Sequence, residues 1–205
     1  MASICDNGAI VYGDPLELKK FVCRHFSFAI EEGKKVSLQP KDLEDEKEIN
    51  VTLDCNTVIP MPEELNCENA NMYQHSQEEF QSLYEDAPER LYNRLKALWE
   101  QQVSNLEKHG YAHWFDFQDR EWGQAGGAFE GFLKTNLKEG SVSFYYMSSW
   151  GPLFGIMKKL IEMYPQFRFD FEYEHSDDGF RGEYFGSNGI VTSWIADYDE
   201  EEGED

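Results

Sequence analysis

"FRFDFEYEH", Phe167 to His175, alternates without a break: Phe167, Phe169, Phe171 and Tyr173 fall on one side, Arg168, Asp170, Glu172 and Glu174 on the other. A period of two is the mark of a strand with one face in a core and the other in water. On a helix the same rings would be scattered around the whole circumference. Upstream, "GPLFGIMKKLIEMYP" (151–165) gathers Leu153, Ile156, Met157, Leu160, Ile161 and Tyr164 on one side, and Pro165 closes it, so an amphipathic helix leads into this strand. "SVSFYYMSS" (141–149) reads as the strand before that helix, with Trp150 and Pro152 setting the turn between them. Downstream, "SDDG" is a turn, "FRGEYF" a strand with Phe180 and Tyr184 on one face, "SNG" a hairpin turn and "IVTSWIADY" a third strand. Residues 142 to the end thus read β-α-β-β-β, and the acid-rich end, 197–205, is expected to be disordered.

Towards the N-terminus, "AIVYG" (9–13) reads as a strand and "GDPLELKKFVCRHF" as the start of a helix. Asp14 is placed to cap it, Pro15 suits its first turn, Glu17 completes a capping box, and Leu18, Phe21, Val22 and His25 or Phe26 share a face. His25 is read as an edge-of-core residue. Residues 31–87 lose periodicity and hold two prolines in "PMP", which points to a loop-rich insertion. "PERLYNRLKALWEQQVSNLEKHG" is a helix with a stripe of Leu91, Leu95, Leu98, Trp99, Val103 and Leu106, stopped at Gly110. In "AHWFDFQDREWG" (112–123) a strand ending near Gln118, followed by a turn, accounts for most of the pattern. That reading puts His113, Phe115 and Phe117 on one face, away from Asp116. A metal or substrate site of His113, Asp116, Asp119 and Glu121 would then need a bulge or a turn. The element order is α+β: one domain over 1–196, an antiparallel sheet with helices packed on one face, interrupted by the insertion.

The charge narrows the function classes. Eighteen Lys and Arg stand against 40 Asp and Glu in 205 residues, a formal charge of −22. Such a field repels nucleic acid and anionic membrane and attracts basic partners. No apolar run approaches the roughly 20 residues that span a bilayer, and no secretory signal is visible, so a cytoplasmic protein is expected. Four cysteines without a CxxC pair read as free thiols, not a zinc site. The phosphate-loop, dinucleotide, zinc-protease and nucleophile-elbow motifs are absent, and "GQAGGAFEG" (123–131) lacks the Lys and Ser/Thr of a phosphate cradle. These residues imply no catalytic set, metal or cofactor. An RNA-binding sheet would need Lys and Arg beside its aromatics, whereas the outward side of 167–174 carries Asp170, Glu172 and Glu174, so no direct nucleic-acid binding is expected.

Four stretches, "CDNGAIVYGDPLELKKF", "VIPMPEEL", "HWFDFQDREWG" and "SSWGPLFGIMKKLIEMYPQFRFDFEYEHSDDGFRGEY", fall in the order found in YubB-like proteins of plasmids and phages, which the chain resembles outside roughly 31–54 and 68–105. "WGQAGGAF" departs from that family, which commonly places a second tryptophan after the first; Phe129 is the nearest aromatic. The resemblance implies a ferredoxin-like C-terminal part over about 110–196 and a mobile-element origin, but no catalytic residues. Combined with the charge, it leads to the expectation of a non-enzymatic accessory or anti-defence protein. Its acidic, DNA-mimicking surface would be Asp170, Glu172, Glu174, Asp177 and Asp178, and its partner a host protein with a basic nucleic-acid-binding surface. Trp114, Asp116, Trp122 and Trp150 form a candidate pocket. The alternative is a metal- or small-molecule-dependent enzyme using the 113–123 region. The oligomeric state stays open, with strand addition at a sheet edge as a route to a homodimer.

Overall fold

The structure, a computed structural model, describes residues 3–28, 36–43 and 47–197, leaving aside the side chains of 193–197; most of the acid-rich end expected to be disordered, 198–205, lies outside the described residues. The chain forms two compact units, one made of Met1–Pro60 with Glu121–Asp205 and the other of Met61–Arg120.

In the first unit the strands are β1 (Ile4–Tyr12), β2 (Phe26–Phe28), β3 (Val36–Ser37), β4 (Glu48–Leu53), β5 (Phe129–Asn136), β6 (Ser141–Ser149), β7 (Arg168–His175), β8 (Phe180–Ser187) and β9 (Ile190–Asp197). They build one sheet in the order β3-β2-β4-β5-β6-β1-β7-β8-β9, every neighbouring pair antiparallel. Two helices accompany it, α1 (Pro15–His25) after β1 and α5 (Phe154–Met163) between β6 and β7.

The middle of this order is diagnostic. β1 lies between β6 and β7, and β5 flanks β6. Since each neighbour is antiparallel, β1 runs parallel to β5 and β6 parallel to β7, each parallel pair split by one strand. With α1 after β1 and α5 after β6, this is the split β-α-β arrangement of a ferredoxin-like fold. The α+β class and the antiparallel sheet with helices expected from the alternation are what the structure holds. Its central strand comes from the start of the chain, and β4, inside the stretch expected to be a loop-rich insertion, pairs with β5.

The core follows the alternation. Val142, Phe144 and Tyr146 of β6 and Phe169, Phe171 and Tyr173 of β7 are buried, as are Leu18, Phe21 and Val22 of α1 and Ile156, Met157, Leu160 and Ile161 of α5. Phe21 sits among Phe144, Tyr164 and Phe169 with ring centroids 5.2 to 6.4 Å apart, while Phe154 of α5 packs on Tyr173 and Tyr184. Both helices therefore cover the same face; each such ring removes enough apolar area from water to contribute about 2 kcal/mol. Asp14 caps α1 as its position implies, its Oδ1 accepting from the amides of Leu16 and Glu17 at 2.9 and 3.1 Å. Glu17 turns instead to Lys20, 2.7 Å away.

The second unit is built on α2 (Gln77–Tyr84), α3 (Glu89–His109) and the one-turn α4 (Trp114–Phe117). α3 stops at Gly110, whose φ of 77° is left-handed. The strand expected over 112–118 is absent. His113 precedes α4, which runs on into a π-helical turn, Gln118–Trp122. Phe117 is buried while Phe115 is 43% exposed; a strand would have given both the same face.

Candidate functional site: the uncovered face of the sheet

The strands that bury aromatics on one side carry charge on the other. The registers Asp6↔Glu174, Gly8↔Glu172 and Ile10↔Asp170 between β1 and β7, then Glu172↔Glu183 and Glu174↔Arg181 between β7 and β8, set Asp6, Asp170, Glu172, Glu174 and Glu183 on one sheet face. Within β7 the three carboxylates stand two residues apart, a spacing of about 6.6 Å along the strand. Arg168 and Arg181 are the basic residues of these strands; Arg168 pairs with Asp170 at 3.0 Å and lies 3.9 Å over the Tyr12 ring.

Gly8 leaves a gap in the side chains, and Glu172 lies over it: a Cβ at Gly8 would fall 2.6 Å from Glu172 Oε1. Around Gly8 and Gly182 the face dips into a cleft of about 510 Å³ lined by Asp6, Tyr145, Glu172, Glu174, Arg181 and Glu183, among others. Tyr145 forms one wall, stacked on Phe132 with centroids 5.1 Å apart, its hydroxyl donating to Asp6 Oδ1. Burial, then the bond to Asp6 and its negative charge, push the Tyr145 hydroxyl well above the usual phenol range, so it remains a donor. The cleft thus offers carboxylates and an aromatic wall, a setting suited to a cationic group.

The residues named from sequence do not fall in one place. Asp170, Glu172 and Glu174 share the uncovered face. Asp177 and Asp178 lie in the turn between β7 and β8, where Asp177 Oδ2 accepts from the Ser3 hydroxyl at 2.7 Å and the Asp178 amide donates to His175 Nδ1 at 3.1 Å. Trp114 and Asp116 belong to α4 in the second unit, Trp122 and Trp150 to the first. Trp122 is buried, its indole N–H donating to the Ile59 carbonyl at 2.9 Å, whereas Trp150 is 56% exposed on a left-handed backbone with φ 68°.

The helical course of 114–117 corrects the expected separation of His113 from Asp116: Asp116 Oδ2 stands 3.6 Å from His113 Nε2, and Asn71 Oδ1 stands 3.0 Å from it. Burial holds the His113 imidazole below its usual pKa, against the opposing charge of Asp116. Among the described residues, no group of three His, Cys, Asp or Glu side chains is placed to hold a metal ion, and no helix is long and apolar enough to cross a membrane.

Asp6, Gly8, Tyr145 and Glu183 were not singled out from sequence. The apolar run "AIVYG" marks only the second half of this strand, and Cys5 and Asn7 before it are also buried. The alternation Cys5, Asn7, Ala9, Val11 was the available signal.

The C-terminal part of this architecture recurs in known proteins. Residues 129–205 match the family model of the ferredoxin-like domain in Api92-like protein. The match takes in β5 to β9 and α5 and agrees with the ferredoxin-like topology. The chain also superposes on the crystal structure of a protein Api92 from Yersinia pseudotuberculosis, with 9% identity, 97% of this chain and 99% of that chain covered, and a TM-score of 0.49. No curated protein matches the chain.

Proposed function

We propose that this protein is a non-catalytic binding domain whose acidic sheet face occupies the basic, nucleic-acid-binding surface of a partner protein. The observation that carries this reading is the gathering of Asp6, Asp170, Glu172, Glu174 and Glu183 on one uncovered face. Acids in register across three strands form a patterned negative surface. The step of about 6.6 Å along β7 is close to that between successive phosphates of a nucleic-acid strand. Electrostatic steering by such a face would give fast, salt-sensitive association. The resemblance to YubB-like proteins supports a mobile-element accessory role, an anti-defence inhibitor acting in the host cytoplasm.

The test is a pull-down from host lysate at low and high salt, with mass spectrometry of the captured proteins, repeated with Asp170→Asn/Glu172→Gln/Glu174→Gln. Capture of a nuclease, restriction enzyme or polymerase that is lost both with salt and with the triple variant supports the reading. Capture that ignores ionic strength, or that the variant leaves unchanged, refutes it.

A further inference from the structure

Behind the acidic face, on the buried side of the same strands, lies a row of polar groups that the protein does not satisfy by itself. Asn7 stands opposite Tyr146 of β6 and opposite Tyr173 of β7, and the three are 0, 2 and 3% exposed. His175, two residues beyond Tyr173 on the same face, is 0% exposed. Among the described residues, no protein atom hydrogen-bonds to Asn7 Oδ1, Tyr146 OH, Tyr173 OH or His175 Nε2.

Asn7 Nδ2 donates to the Cys5 carbonyl and Ser148 Oγ, both at 2.9 Å, and to the Tyr146 carbonyl at 3.3 Å. The Ser148 hydroxyl donates in turn to the Gly151 carbonyl at 2.6 Å. His175 Nδ1 accepts from the Asp178 amide at 3.1 Å, with Asp178 Oδ2 3.4 Å from the same atom, so the ring hydrogen lies on Nε2. The row therefore offers three donors, two phenols and an imidazole N–H, beside one amide acceptor.

Buried polar groups left dry lose their hydration without return, and four in adjacent positions are far from the usual native pattern. We propose that this row is an internal hydration site of at least two ordered waters, which donate to Asn7 Oδ1 and between them accept from the Tyr146 and Tyr173 hydroxyls and from His175 Nε2. Water matches the set because it both donates and accepts and commonly takes about three such bonds when buried. A cation would meet three donors. An anion would find no Lys or Arg in the row and carboxylates on the far side of the same strands.

Two measurements on the full chain test this, a crystal structure fine enough to show ordered water and the thermal midpoints of Tyr146→Phe and Tyr173→Phe. The site predicts density within about 3.2 Å of at least two of the four atoms, and a lower midpoint for each variant, because each deletes a bond to the bound water. Absence of that density overturns the proposal. So does a midpoint that stays or rises, the sign expected when a dry, unpaired hydroxyl is removed.

Discussion

A glycine's neighbours decide what a methyl group would cost. At Gly8 an added Cβ meets the Glu172 side chain, Oε1 at 2.6 Å and Cγ at 2.9 Å, and Glu172 is exposed and able to swing aside. At Gly155 in the first turn of α5, the same atom would lie 1.9 Å from the Glu121 carbonyl oxygen, which is backbone and cannot yield. We expect Gly8→Ala to stay within about 1 kcal/mol of the parent and Gly155→Ala to cost about 3 kcal/mol or more, read as urea midpoints at constant m. His25 makes a second prediction. The Thr57 hydroxyl donates to the Asp54 carbonyl at 2.7 Å, so His25 Nδ1–H must donate to Thr57 Oγ1, also at 2.7 Å, leaving Nε2 to accept from the Tyr164 hydroxyl at 2.7 Å. Burial, then the charge of Arg24, lower the His25 pKa from 6.5 to about 4 against the pull of Asp54. Because the folded state holds the neutral ring, its stabilisation is complete above pH 6.5 and is lost as pH falls from there towards 4, about 3 kcal/mol in all. The difference in unfolding free energy between the parent and His25→Gln should shrink over that window; a constant difference would contradict the assignment. From sequence His25 was placed at the edge of the core, because Thr57 and Tyr164 lie 32 and 139 positions away and no local pattern announces them.

At the scale of elements, α3 shows how an apolar stripe misleads. The stripe marks the right helix, yet Leu91 and Leu106 are each 44% exposed, and the buried line is Leu98, Gln102 and Asn105. Gln102 Oε1 accepts from the amides of Met72 and Tyr73 at 2.9 and 3.2 Å, and its Nε2 donates to the Glu68 carbonyl at 2.7 Å. Asn105 Nδ2 donates to the carbonyls of Glu64 and Ala112 at 2.9 and 3.0 Å. These two amides do for residues 64–73 what a neighbouring strand would do, satisfying backbone that has no regular partner. Gln102→Leu keeps the volume and strands those groups, so we expect a loss of about 2 to 4 kcal/mol, with faster hydrogen exchange at the Met72 and Tyr73 amides. A neutral Gln102→Leu would show that they find other partners. Such a role is invisible in sequence because polar residues on a helix normally mean water. The strand expected over 112–118 failed for a related reason. Phe115 and Phe117 satisfy a period of two while Trp114 and Phe117 satisfy a single helical turn, and a segment this short holds too few residues to separate the two periods.

The whole molecule was legible where structure is local and hidden where it is long-range. β6, α5 and β7 could be read from their own periods, residue by residue. That β1 would be threaded between β6 and β7 could not, since "CDNGAIVY" carries no mark of its neighbours, and its register is set by pairing with residues at least 129 positions later. This insertion has a consequence for the family-matched portion. Residues 129–205 contain β5 to β9 and α5 but lack both the strand that joins β6 to β7 and the helix that brings Leu18, Phe21 and Val22 into the core. Without β1 the facing edges of β6 and β7 present unpaired N–H and C=O groups, and the apolar residues beneath are uncovered. A chain of 129–205 alone is therefore expected to be unfolded or aggregated, judged by far-UV circular dichroism and amide dispersion. Adding residues 3–28 in trans, which bring β1 and α1, should restore order by filling the gap between β6 and β7. If 129–205 instead folded cooperatively alone, β6 would have to pair directly with β7. The acidic face would then lose Asp6 and the floor of its cleft at Gly8, and salt-sensitive binding by that shorter chain would locate the contact in β7 and β8 alone.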